Sequence, residues 1–151
     1  MAATMYLEDF HPGDRLELGS KVMDEADIIR FAKEFDPQVY HLDPVAAKET
    51  AFGGLVASGW HTGAVVMRLF VDAALGRTAA AGGLGCDDLR WLLPVHAGDT
   101  ITASYVVDTV RPSASKPDRG LVTFTWDAHN QKGEKVMTMH GPIVVLKRPR
   151  G

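Results

Sequence analysis

Apolar residues recur at helical spacing early in the chain. Ile28, Phe31, Ala32 and Phe35 stand at i, i+3, i+4 and i+7 behind Asp24, whose side chain can accept from free helix amides, and this predicts a helix with one inward face. Pro37 disfavours the helical region for the residue before it, so the helix should end at Asp36 and leave that carboxylate at its mouth. A second start signal follows in Asp43-Pro44, a capping side chain with proline in the first helical position, opening a short helix over residues 45–49. Residues 36–43 are then a loop pinned at both ends, with His41 inside it, which is the kind of support that holds reactive side chains in place.

Past Gly53-Gly54, the pair Ser58-Gly59 leads into residues 60–75, apolar nearly all round except for Arg68 and Asp72 at i,i+4. Such a helix should be buried in protein. Its apolar run is shorter than the roughly 18 residues of a membrane span and is broken by that charged pair. After Gly76 the period changes to two, and residues 85–93, 100–110, 121–129 and 135–146 read as strands, with turns at Gly98-Asp99 and Lys132-Gly133. Ile101, Ala103, Tyr105 and Val107 mark one face of the second of these strands, and Val122, Phe124, Trp126 and Ala128 one face of the third. Residues 112–120 form a flexible polar connection. Helices followed by a run of antiparallel strands predict an α+β fold, and periodicity alone leaves several such folds open.

Length and composition narrow this to one ordinary globular domain, residues 1–151, with 46% hydrophobic and 23% charged residues and no internal repeat. Net charge is −3, and Lys and Arg are scattered except for Lys147, Arg148 and Arg150 at the end, so no footprint for nucleic acid exists and the tail should be a solvated end. The first residues lack a basic start followed by an apolar run, which points to a cytoplasmic protein without a membrane anchor. Cys86 has no disulfide partner in the chain and no CxxC or HxxxH spacing offers a metal cage, so no metal is expected and Cys86 should be a small buried side chain.

The stretch Phe35-Asp36-Pro37-Gln38-Val39-Tyr40-His41-Leu42-Asp43-Pro44, followed by Ala51-Phe52-Gly53-Gly54 and Ser58-Gly59, resembles the signature of the MaoC-like dehydratases and (R)-specific enoyl-CoA hydratases. It has an Asp five residues before a His, then His-Leu-Asp-Pro, then a glycine at a helix start eighteen residues past the His. Leu92-Leu93-Pro94-Val95 and Ala97-Gly98-Asp99-Thr100 are similar to that family's first long strand and its turn. The resemblance implies a hot-dog fold, a long buried helix wrapped by a curved antiparallel sheet. It implies reversible addition of water to a 2-enoyl-CoA to give an (R)-3-hydroxyacyl-CoA, with Asp36 and His41 holding the reacting water. Coenzyme A is then part of the acyl-CoA substrate and no separate cofactor is needed.

The chemistry asks for such groups on its own terms. Hydrating an enoyl thioester removes a proton from water as oxygen attacks C3 and delivers one to C2, work for two groups of suitable pKa within reach of one water. Charge gathering on the thioester oxygen needs a donor, and Gly59 offers a backbone amide at a helix start with no side chain in the way. That glycine equally suits close packing of the helix. Trp60, His61 and Met67 are candidates to line the acyl pocket, His61 as a neutral side chain of the first turn. Asp43 reads as a helix cap, and Ser58 lacks the glycine two residues before it that marks a hydrolase nucleophile. The chain departs from the family in carrying Gln38-Val39-Tyr40 where Asn-Pro-Leu is common, and Met67 where the helix often has Ser, changes that bear on acyl-chain preference.

Two other functions fit the same fold: a hot-dog acyl-CoA thioesterase, which also polarises a carbonyl at a helix N-terminus, and a non-catalytic acyl-CoA binding domain. A single sheet on one helix leaves an edge and a face uncovered, so a homodimer or higher homo-oligomer is expected.

Overall fold

Phe70 meets the edges of Tyr105, Phe124 and Trp126 at centroid separations of 5.7, 5.3 and 5.3 Å, and the fold is built around this contact between the long apolar helix and the sheet. The computed structural model describes residues 2–151. In chain order the elements are β1 (Arg15–Val22), α1 (Glu25–Phe35), the one-turn helices α2 (Val39–Leu42) and α3 (Pro44–Ala47), α4 (Gly59–Ala73), β2 (Ala80–Gly83), β3 (Asp87–Trp91), β4 (Thr100–Pro112), β5 (Arg119–His129) and β6 (Lys135–Leu146). These strands pair antiparallel, in the order β1-β4-β5-β6, with β2 and β3 following one another along the outer side of β6.

The period-two faces read from the sequence are the buried ones. Ile101, Ala103, Tyr105 and Val107 of β4 and Val122, Phe124, Trp126 and Ala128 of β5 all face the core, against Val65, Val66 and Phe70 of α4. The turns fall where the glycines require them: Gly98 and Gly133 sit at φ +90° and +75°, a region costly for any residue with a Cβ. Asp24 caps α1 by accepting from the Asp27 amide at 2.8 Å, and Asp43 caps α3 by accepting from Val45 and Ala46.

Several expectations need correction. β1 precedes the helices and β2 follows them, and neither carries a strand pattern: β1 buries only Leu18 and β2 is Ala-Ala-Gly-Gly, held by pairing with β6. The loop over residues 36–43 contains the helical turn α2. The connection between β4 and β5 is shorter than residues 112–120, because both strands extend into it. The long helix is not buried all round, for Trp60, Met67 and Val71 are exposed beside the Arg68–Asp72 pair. Cys86 is exposed. Arg148 is no idle tail residue: its guanidinium bonds both carboxylate oxygens of Asp9 and lies 4.7 Å from the Tyr6 ring centroid, tying the two ends of the chain together. Among the described residues no helix is long and apolar enough to cross a membrane.

Candidate active site

Asp36 and His41 come together because the chain turns sharply between α1 and α2. The Asp36 amide still donates to the Ala32 carbonyl at 2.9 Å, but the residue leaves the helix at φ −151°, ψ 68°, as the following proline demands. One turn later α2 carries His41 into the interior at 6% exposure, with its Nε2 at 3.3 Å from Asp36 Oδ2.

The Val56 backbone fixes the imidazole. Its amide donates to the Tyr40 carbonyl at 3.0 Å, and its carbonyl accepts from His41 Nδ1 at 2.6 Å. A carbonyl can only accept, so Nδ1 carries the hydrogen and the neutral ring presents a bare lone pair at Nε2. Nε2 and Asp36 Oδ2 are then two acceptors side by side, an arrangement suited to one water donating a hydrogen to each.

Asp36 is held on both oxygens. Ser58 Oγ donates to Oδ2 at 2.7 Å, and Gln38 Nε2 donates to Oδ1 at 2.6 Å. Tyr40 in turn donates its hydroxyl to Gln38 Oε1. Burial would push the Asp36 carboxyl up, but the hydrogen bonds from Ser58 and Gln38 outweigh it, joined by the charge of His41 when that ring is protonated, and hold the carboxyl below its ordinary value. Asp36 is therefore an anion at neutral pH.

Ser58 stands at the N-cap of α4, where serine commonly caps the helix with its own hydroxyl, yet it gives that hydroxyl to Asp36 instead. Its carbonyl takes the amides of His61 and Thr62. Among the described residues, the Gly59 and Trp60 amides have no acceptor, and they open the 15-residue α4 with its positive dipole end.

A cavity of about 530 Å³ adjoins these groups. Asp36, His41 and Gly59 line it together with Thr62, with the aromatic rings of Phe35, Tyr40, Phe52, Trp60 and Trp91, and with aliphatic side chains from Leu92 to Val95 and Val136. Of the residues anticipated from the sequence, the fold thus brings together Asp36, His41, Gly59 and Trp60. Met67 and His61 are not among the residues that line it. Met67 is exposed one turn and more beyond Thr62 on α4, and His61 is buried with its ring stacked on Phe31 at 4.8 Å. Burial pushes the His61 imidazole below its ordinary value, so packing keeps it neutral. The glycine at 59 has a packing reason as well, since a Cβ there would stand 2.3 Å from the Trp91 indole.

Sequence reasoning missed Ser58 as a partner of Asp36, and missed Trp91. The hydroxyl's target is set by how α4 meets α1, which no local pattern encodes; Gln38 and Tyr40 could have been found by asking what replaced the usual Asn-Pro-Leu.

One long helix packed against an antiparallel sheet is the plan of the hot-dog fold. The chain belongs to the MaoC-like domain family, whose model matches residues 9–125. It is 42% identical to a MaoC-like dehydratase from Rhodospirillum rubrum, whose crystal structure superposes with a TM-score of 0.89 over 97% of this chain and 99% of that one. It is 31% identical over 122 residues to the (R)-specific enoyl-CoA hydratase of Rhodospirillum rubrum, covering 79% of this chain and 77% of that protein. The (R)-hydratase of A. caviae involved in PHA biosynthesis is 27% identical, with a TM-score of 0.76 over 94% of this chain and 99% of that one.

Proposed function

We propose that this protein is a hydro-lyase that adds water reversibly to a 2-enoyl-CoA, giving an (R)-3-hydroxyacyl-CoA. The observation that carries this reading is the pair of adjacent acceptors, His41 Nε2 and Asp36 Oδ2, in an apolar cavity that also holds the open N-terminus of α4. Names of relatives support the class of reaction; the geometry supports the roles. The thioester oxygen accepts from the Gly59 amide, and one water donates to the pair. The water oxygen bonds C3 as one of its protons passes to the pair and the double-bond electrons move toward the thioester oxygen. The carbonyl then reforms as the pair returns a proton to C2. Atoms and protons balance with no net electron transfer, so acid/base groups and one oxyanion donor suffice.

The aromatic mouth and aliphatic wall favour an acyl chain over a polar substrate. Hot-dog thioesterases more often carry a carboxylate on the long helix, and Asp72, exposed and paired with Arg68 at 2.8 Å, lies outside the cavity. An assay of enoyl-CoA esters of several lengths, following the conjugated double bond and free thiol together, tests the proposal. Loss of the double bond without thiol release is expected; thiol release alone would make the protein a thioesterase, and tight binding with neither would make it a binding domain.

Gly59→Ala should force the Trp91 indole off the helix end and intrude on the space of the thioester. Because Trp91 is itself 46% exposed and can swing away, stability should change little while kcat/KM falls by about 100-fold, the scale of a misplaced reacting group. An unchanged kcat/KM in this variant would remove Gly59 from the site.

Self-association completes the proposal. Trp60, Met67 and Val71 on α4 are exposed, and Trp91, Leu92 and Leu93 add apolar surface from β3 onward. Light scattering at micromolar concentration should give the mass of a dimer or a larger even assembly, and the mass of one chain would contradict it.

A further inference from the structure

The carboxylate of Asp36 accepts hydrogen bonds on both oxygens. Ser58 Oγ sits at 2.7 Å from Oδ2 and is itself wholly buried, while Gln38 Nε2 sits at 2.6 Å from Oδ1. The Gln38 amide is oriented in turn, because its oxygen takes the Tyr40 hydroxyl and leaves the NH₂ end facing Asp36. Tyr40 is braced by its ring contacts with His41 at 4.6 Å and Phe52 at 5.1 Å. Serine at a helix start has a local use for its hydroxyl, and here that use is forgone.

We propose that Ser58 and the Gln38–Tyr40 pair are positioning residues, which lock the Asp36 carboxylate in one orientation and keep Oδ2 beside His41 Nε2. This deepens the proposed hydration and rests on it for its catalytic meaning, while the clamp itself is a property of the free protein. Without the two donors the carboxylate can rotate, and either oxygen can turn from the shared water. The clamp also fixes the charge, since both hydrogen bonds favour the ionised form.

His41 on α2 is the titratable group facing Asp36 at contact distance. From α4 comes the Ser58 hydroxyl, and the His61 of its first turn stacks on Phe31 rather than lining the cavity, whose other polar groups are Gln38, Tyr40 and Thr62. A change in the Asp36 titration is therefore read against one neighbour, whose own titration is followed in the same samples.

The test is the ¹³C carboxyl shift of Asp36 against pH in the labelled free protein, for the parent, Ser58→Ala and Tyr40→Phe. The parent midpoint should lie below that of an ordinary aspartate. Ser58→Ala should raise it by about one pH unit, the loss of a hydrogen bond to a charged group. Tyr40→Phe, which removes one hydroxyl and no packing volume, should raise it by less in the same direction, and it keeps the test alive should Ser58→Ala fail to fold. In the hydration assay kcat should fall in both variants with KM holding. Midpoints identical to the parent in both variants would overturn the clamp. A parent that hydrates no enoyl-CoA would instead overturn the proposed function, and the titrations would still decide the clamp.

Discussion

Asp36→Asn and His41→Ala should each lower kcat for hydration by about 10²- to 10⁴-fold, the usual share of a general acid/base group, with KM for the enoyl-CoA nearly unchanged. Neither side chain anchors the thioester, so the loss belongs to the chemical step. Asparagine keeps the shape of Asp36 but cannot be an anion, and its amide presents a donor where the water or Ser58 needs an acceptor. His41→Ala removes Nε2 and also strips the Val56 carbonyl of its buried donor, which should cost about 1–3 kcal/mol of stability, so kinetics are compared where the variant is folded. In the parent, kcat/KM should fall on the acid side, because protonating His41 Nε2 or the Asp36 carboxylate removes an acceptor for the water proton. The Asp36 carboxyl is held below its ordinary value, so it stays charged until well into the acid range, and stability drawn from its ionised form is lost as pH falls through that lowered value.

Phe70→Ala should be the most destabilising change in the core, by about 3–5 kcal/mol, because it removes a buried ring and leaves a cavity between α4 and the sheet. Its ring touches Tyr105, Phe124 and Trp126 at once, and those rings pack on one another, so the hole cannot close by moving one neighbour. For a chain of this size that loss should lower Tm by roughly 10 °C or more. Denaturant unfolding of parent and variant measures it, and a difference under about 1 kcal/mol would mean that α4 is not anchored at Phe70. Met67→Ala makes the contrast on the same helix. Its side chain is 41% exposed and outside the cavity, so within one protomer both stability and the ranking of acyl chains should stay close to the parent.

How far the chain announced this architecture varied with how locally each element is encoded. β4 and β5 were legible because one face of each is apolar and fully buried at alternate positions, and α1 because Asp24 and Pro37 mark its start and end, though of its apolar stripe only Ile28 and Ala32 are buried and Phe35 is exposed. β1 and β2 were not, since β1 buries one side chain and carries charges beside it, while β2 is a short alanine and glycine run that becomes a strand only because β6 offers it an edge. α4 read as apolar all round, but its exposed Trp60, Met67 and Val71 show that composition does not say which face meets the sheet. At the site, the spacing of Asp36 and His41 survived into three dimensions because α1, Pro37 and α2 are consecutive in sequence. Ser58 was invisible as a partner, since it lies 22 residues from Asp36 and its hydroxyl was free to cap its own helix. Helical spacing placed Met67 and His61 near the same turns of α4, but the cavity is lined from that helix by Gly59, Trp60 and Thr62.

In the proposed hydration Asp36 and His41 act as one unit on one water. The measurement that tests it most directly is kcat for hydration of an enoyl-CoA by the parent, Asp36→Asn, His41→Ala and the double variant, followed by loss of the conjugated double bond. Groups that act as a unit are non-additive, so the double variant should be little slower than the slower single variant. Losses that multiply, or single variants that hydrate at the parent rate, would contradict the account.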